Sequence, residues 1–449
     1  MNFLKKLVNK HTLSLASNAV MPIMGMITVS MLARNLSRAD FGDWILFLIA
    51  YTIVNFSRSG FLQTSLVKFC SGAKNDRALN VIGSTWFLGF AMVAVVGILS
   101  FVTYFFYKSD ASTDIMIKWF AIIFLSTLPS SIGLWVLQAE ERFDRVFILN
   151  LVGQLTFFIS VVVLIALHQT HFQGVIYAYC LSAIITSLVT IFAGWAKIHA
   201  IRNKSWVCVK ELVNFGKYSI GTSISSYLLR GSDTFIIKFM FVDPSIVGIY
   251  YLPQRLMEVI EIPLRSFIAT ALPAMSAAVH KNDTAHMTYI MKKYAGILTI
   301  LLVPLSIVAF LGADMIIDVI GGKNFANTAA ANVFRIFMCF AILLPVDRFF
   351  GITLDILNRP HLNLIKVFLM LVVNIVGDFI GIYITHNLYG VALSSIFTFL
   401  AGILYGYWML KKNLQFRMRD ILALGFSEIF MVIKDLATRF KRKTDQVES

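Results

Sequence analysis

Arg255, Glu258, Glu261 and Arg265 follow one another at spacings of three, three and four inside an otherwise apolar stretch. At about 100° per residue, those spacings place all four on one face of a helix. An ionised group in hydrocarbon costs at least roughly 2.5–3.5 kcal/mol at a helix centre, so such a face must neutralise itself or meet water. In the first case Arg255 pairs with Glu258 and Glu261 with Arg265, a salt-bridge ladder along one helix. In the second the face walls a wet cavity, where the arginines meet an anionic substrate and the carboxylates exchange a coupling ion.

Further charges extend the second reading. Arg230 and Asp233 stand three apart in a stretch that also carries Ser219, Thr222, Ser225 and Ser226. Arg58 lies deep in an earlier apolar run, with Asn55 one turn before it and Gln63 beyond. A guanidinium suits phosphate because its planar fork donates two parallel hydrogen bonds. The substrate-binding candidates are therefore Arg58, Arg230, Arg255, Arg265 and Asn55. Candidates for ion coupling are Asp233, Glu258, Glu261, Asp347 and Asp378. No catalytic residue, cofactor or metal ligand set is expected, and Cys70, Cys180, Cys208 and Cys339 show no CxxC spacing.

These side chains need elements that can hold charge inside a bilayer. Of 449 residues, 58% are hydrophobic and 14% charged, too apolar for a soluble chain of this length. A membrane helix needs roughly 20 apolar residues. About twelve stretches qualify: 14–33, 41–62, 81–104, 119–137, 146–167, 174–196, 218–241, 246–271, 294–311, 329–353, 364–385 and 389–410. Lys5 and Lys6 precede the first, which continues without a small-residue cleavage site and is expected to be a span.

Lys and Arg collect in alternate gaps. One side holds Lys5, Lys6, Lys10, Lys68, Lys74, Arg77, Arg142, Arg145, the run from Lys197 to Lys217, Lys281, Lys292, Lys293, Arg359, Lys366 and a tail from Lys411. The other holds Arg34, Arg38, Lys108, Lys118, Lys238 and Lys323. The excess, roughly four to one, makes both termini cytoplasmic by the positive-inside rule. Trp44, Trp86, Trp119, Trp135, Trp195 and Trp408 fall at or near span ends, where interfacial anchors are expected. The net charge of +15 is then topological signal plus a tail facing anionic lipid, and calls for no nucleic-acid partner.

The second half echoes the first. Phe41-Gly42-Asp43-Trp44 aligns with Val247-Gly248-Ile249-Tyr250, Lys118-Trp119-Phe120 with Arg335-Ile336-Phe337, and Pro129 with Pro345, in order and at a separation that grows by about one loop insertion. An even number of spans per half gives a parallel repeat, with a pseudo-twofold axis along the membrane normal. The expected architecture is all-α integral membrane, about twelve transmembrane helices in two six-helix lobes. The expected division is 1–200, 201–410 and a basic amphipathic cytoplasmic tail, 411–449. Pro22, Pro129, Pro253, Pro263, Pro304 and Pro345 interrupt or end spans, as kinks or as freed carbonyls facing a cavity.

Residues 31–42, MLARNLSRADFG, resemble the ARxLGPxxFG motif that opens the second span of Wzx-type polysaccharide and O-antigen flippases, members of the multidrug/oligosaccharidyl-lipid/polysaccharide exporter superfamily. Asp233, Val247-Gly248-Ile249-Tyr250 and Leu357-Asn358-Arg359-Pro360 are also similar to that family. Ser37 and Arg38 depart from its usual Gly-Pro, which affects a loop. The resemblance implies movement of an undecaprenyl-pyrophosphate-linked oligosaccharide from the cytoplasmic to the periplasmic leaflet of a bacterial inner membrane by alternating access, often with ion counter-transport. It implies a lipid-linked oligosaccharide and membrane lipids as partners, with a glycan polymerase or glycosyltransferases beside them, and no enzymatic activity. A drug or cation antiporter of the same superfamily, a membrane enzyme acting on lipid-linked glycans and a non-transporting scaffold are the rival readings.

Overall fold

Backbone amides in lipid have no water to bond, so long apolar runs fold as helices that satisfy their own hydrogen bonds. The computed structural model describes residues 10–71, 73–106, 111–241 and 243–445, with side chains at 10–20, 218–227, 229–230, 269, 280, 432–433 and 435–445 outside the description. The helices, in order, are α1 (Lys10–Asn35), α2 (Arg38–Cys70), α3 (Asn75–Phe106), α4 (Ala111–Ser126), α5 (Leu128–Ala139), α6 (Phe143–Ala166), α7 (Phe172–Phe192), α8 (Trp206–Met240), α9 (Pro244–His280), α10 (Thr284–Leu311), α11 (Ala313–Gly321), α12 (Ala330–Ala341), α13 (Leu344–Ile356), α14 (Pro360–Thr385), α15 (Leu388–Lys411) and α16 (Met418–Asp445). Among the described residues nine helical stretches are long and apolar enough to cross a membrane, and the pair α12 and α13, bent by 49°, adds a broken tenth. The helices α1 and α8 stand where the other two spans are expected and contain residues outside that description.

Packing divides the chain into two units, Met1–Leu252 with Asp318–Ala326, and Pro253–Ile317 with Asn327–Ser449. This division falls inside α9. The repeat read from the sequence changes halves at residue 200, but it groups segments by resemblance, whereas packing groups them by contact.

In the first unit, Leu62, Leu66, Ile82, Trp86, Leu128, Ile132 and Trp135 form one core. Three tryptophans depart from the interfacial expectation: Trp44, Trp86 and Trp135 are buried. Trp86 Nε1 donates to the Ala196 carbonyl at 3.0 Å, so its polar edge is satisfied inside the protein. Trp206 and Trp408 are exposed, as an interfacial anchor would be.

The family-like motif also has a concrete use here. Ser37 caps α2 by accepting from the Asp40 amide at 3.0 Å. Arg34 donates to the Val319 carbonyl and Arg38 to that of Asn324, while Asn324 Nδ2 reaches the Leu36 carbonyl at 2.7 Å. Phe41 meets Phe325 edge to face at 5.4 Å. Segment 318–326 thus closes the end of α1 and the start of α2.

In the second unit the core runs through Leu264, Met291, Leu298, Phe349, Phe350, Leu354 and Ile421. The last of these belongs to α16, which the sequence places on the membrane surface. One face of α16 docks on α10. A Cβ on Gly296 would stand 2.1 Å from the Ile421 carbonyl oxygen, and one on Gly425 would stand 2.4 Å from the Gly296 carbonyl carbon, so both helices need glycine there to meet. Glu428 closes the contact, 2.5 Å from Lys293 and bonded by the Tyr289 hydroxyl. The other face of α16, with Leu422, Phe426 and Phe430, is exposed.

Candidate functional site

Helix α9 carries Pro253, Pro263 and Pro273, each without an amide hydrogen to continue the helical ladder. Its charged face forms both neighbouring pairs: Arg255 with Glu258, and Glu261 with Arg265 at 3.1 Å. A third arginine joins from α13, where Arg348 stands 3.7 Å from Glu261. The ladder is therefore real, yet it remains accessible. Side-chain exposure is 50% for Arg265 and 38% for Arg348, against 16% for the Glu261 carboxylate that links them. Among the described residues three guanidinia meet two carboxylates here, and Glu261 sets the direction of two forks. Arg348 reaches this cluster because α13 begins after the break at 342–343, with Pro345 in its first turn.

Arg58 is placed differently. It is wholly buried in the first unit, where α4 ends at Ser126 and α5 begins at Leu128. Its Nη1 donates to the Phe124 carbonyl at 2.8 Å, and its Nη2 to Asn55 Oδ1 at 2.6 Å, Ser131 Oγ at 2.9 Å and Thr127 Oγ1 at 3.1 Å. The guanidinium also lies 4.2 Å from the Phe124 ring centroid, and Tyr51 bonds Thr127 at 2.7 Å. Pro129, near the start of α5, has no amide hydrogen for the Leu125 carbonyl four residues back, and Arg58 bonds the neighbouring Phe124 carbonyl at this break. Asn55 is its local partner, as the one-turn spacing suggests.

The carboxylates are likewise brought to different partners. Asp233, 7% exposed in α8, accepts from the Tyr250 hydroxyl at 2.6 Å. Asp378 is wholly buried in α14, where Ser394 Oγ donates to Oδ1 and Asn374 Nδ2 approaches the same oxygen at 3.4 Å. The Ser394 hydroxyl is also 2.8 Å from the Val391 carbonyl, so several oxygens converge there. Asp347, in the first turn of α13, is paired with Lys366 of α14 at 2.7 Å. Arg230 stands in α8 with its side chain outside the described residues.

Sequence reasoning missed several of these groups. Lys366 was counted among the cytoplasmic-side charges, yet it is 2% exposed. Arg348 stands beside Asp347 in the chain, and nothing in its spacing joins it to the α9 face. Asn374 carried a usable signal, since it stands four residues before Asp378 in an otherwise apolar helix. Nothing local marks Ser394 or Tyr250 as partners of carboxylates in other helices.

Membrane-crossing helices with ionised groups held between them define a polytopic membrane protein of all-α class. Solved structures with this fold include the lipid II flippase MurJ in an inward closed conformation, with a TM-score of 0.73, 14% identity, and coverage of 94% of this chain and 92% of that one. An inward-facing multidrug resistance MATE family transporter of the MOP superfamily also has a TM-score of 0.73, at 15% identity, covering 89% of this chain and all of the other. The chain belongs to the polysaccharide biosynthesis protein family, whose model matches residues 7–279. It is similar to the probable low-salt glycan biosynthesis flippase Agl15 of Haloferax volcanii, 24% identical over 295 residues that cover 64% of this chain. The match spans 59% of that relative's length.

Proposed function

We propose that this protein is a flippase that carries an undecaprenyl-pyrophosphate-linked oligosaccharide from the cytoplasmic to the periplasmic leaflet of a bacterial inner membrane, by alternating access coupled to an ion gradient. The observation that carries this reading is the accessible cluster of Arg255, Arg265 and Arg348 around Glu258 and Glu261 within apolar helices. A pyrophosphate supplies acceptors for several guanidinium forks, and its arrival would compete with Glu261 for Arg265 and Arg348. A cationic drug would meet like charge on this face. The names of Agl15 and MurJ support a lipid-linked glycan as cargo.

In this reading both termini are cytoplasmic, the two repeats 1–200 and 201–410 form the moving halves, and the tail 411–449 stays at the inner leaflet. Asp378, with the Ser394 hydroxyl and the Asn374 side chain, forms the coupling-ion site. Asp233 with Tyr250 is a second titrating position. A glycan polymerase or glycosyltransferases would supply or consume the cargo. The test is leaflet translocation of a fluorescent undecaprenyl-pyrophosphate oligosaccharide in proteoliposomes, with and without sodium and proton gradients. Wild-type flipping that is lost in Arg265→Ala and Arg348→Ala supports the reading; flipping unchanged in both variants removes it.

A further inference from the structure

Lys366 is the seventh residue of α14, and its ammonium crosses to the first turn of α13. It donates twice to one residue there, to Asp347 Oδ1 at 2.7 Å and to the Asp347 carbonyl at 2.8 Å. Lysine and aspartate are 2% and 4% exposed. The helices are built around the pair. A Cβ on Gly351 of α13 would lie 3.3 Å from Lys366 Nζ and 2.9 Å from Asn363 Oδ1. One on Gly402 of α15 would lie 2.8 Å from Asp347 Oδ1. Each of the two helices thus omits a side chain where the pair lies.

A carboxylate enclosed by apolar helices must be neutralised by a proton, by a mobile cation or by a tethered one. We infer that Lys366 is the resident cation of Asp347: its ammonium holds the position that a mobile ion would take, so Asp347 serves as a fixed structural charge and takes no part in ion exchange. Lys366 thereby removes Asp347 from the carboxylates of the second unit that could respond to a gradient. The second bond, to the carbonyl of Asp347, gives the tether a further purpose. It holds the first turn of α13 against α14 immediately after the break at 342–343, and Arg348 is the next residue along that turn. Lys366 is therefore also a positioning residue for the α9 arginine face. This part rests on the transport reading above; the assignment of the cation position does not.

Two measurements test the pair on purified full-length protein. Dicyclohexylcarbodiimide activates a carboxyl, and an amine in contact with it displaces the urea to form an amide, with net loss of one water. In wild type, mass spectrometry should find Asp347 joined to Lys366, in equal yield with and without sodium. A free carbodiimide adduct on Asp347 that sodium suppresses would overturn the inference. In Lys366→Met the carboxylate loses its partner, and bound radioactive sodium should rise, about twofold if another site is already filled, by an increment that Asp347→Asn abolishes in the double variant. A folded Lys366→Met protein with no added sodium binding would also overturn it. Should that variant not fold, the wild-type cross-link decides. Wild-type transport indifferent to every gradient would remove the coupling proposal and leave both results standing.

Discussion

Arg58 and the arginines of α9 and α13 are the same residue type within apolar helices, yet their surroundings assign them opposite work. Arg58 is wholly enclosed, and its hydrogen-bond partners are a carbonyl, an amide and two hydroxyls, all uncharged. Its charge is dispersed over neutral acceptors at the break between α4 and α5. Arg265 and Arg348 are half exposed and share one carboxylate, a partner that an incoming anion can displace. An arginine in a span therefore has to be judged by its acceptors: neutral backbone and hydroxyl oxygens suit a strut, while a shared carboxylate on an accessible face is what the proposed grip requires.

The contrast breaks most directly at Arg58. Arg58→Met should cost roughly 3–5 kcal/mol, since it takes the guanidinium out of a buried polar cluster of the Phe124 carbonyl, Asn55, Thr127 and Ser131, whereas Arg348→Ala should cost under about 1 kcal/mol. Thermal unfolding in detergent measures both, and equal losses would erase the distinction. Binding comes next. Arg265→Ala should weaken affinity for a pyrophosphate headgroup about 10–100-fold, from roughly 1.5–3 kcal/mol for a charge-assisted hydrogen bond, with little change in unfolding temperature. Calorimetric titration with a short-chain prenyl pyrophosphate would show it.

A smaller effect is expected at Asp233, where Tyr250→Phe removes the donor to a buried carboxylate at a cost of about 1–2 kcal/mol. The gradient dependence of flipping should shift with it, and a variant that melts early with unchanged dependence would make Asp233 purely structural. The smallest concerns the tail. Lys293, and after it Tyr289, hold the Glu428 carboxyl below its ordinary 4.5 through hydrogen bonds. A group lowered in the folded state stabilises docking fully above its ordinary value and ceases to do so as pH falls through the lowered one. Hydrogen exchange over residues 418–431, corrected for intrinsic rates, should quicken below about pH 4.5. Glu428→Gln should flatten that dependence.

What could be read from the chain follows the range of the interactions. Spans were legible because burial in lipid demands a long apolar run whatever the neighbours are. Of the six prolines named as interruptions, Pro129 and Pro345 stand where a new helix begins, whereas Pro22, Pro253, Pro263 and Pro304 lie within continuous helices. The pairs Arg255–Glu258 and Glu261–Arg265 were visible because their members are one turn apart. Arg58 and Asn55 stand one turn apart and bond each other, but the remaining acceptors of Arg58 lie 66 to 73 residues away, and no periodicity reports them. Lys366 misled because a lysine near a helix end ordinarily extends its amine to the interface; only a partner in another helix, 19 residues back, turns it inward. Trp86 misled likewise, because an indole bonded to the Ala196 carbonyl is as content in a core as at a headgroup layer.

The closure of α1 by segment 318–326 has a consequence for how the chain is made. Ser30, Arg34 and Arg38 wait for acceptors that lie 285 to 290 residues downstream. At about 5–20 residues per second, the ribosome needs roughly 15–60 s to deliver them. Through that interval the two arginines must find provisional company among water, headgroups or an insertase. The first helix hairpin is thus completed late in biogenesis, and translation speed between residues 38 and 318 should govern yield more than the intrinsic hydropathy of either helix.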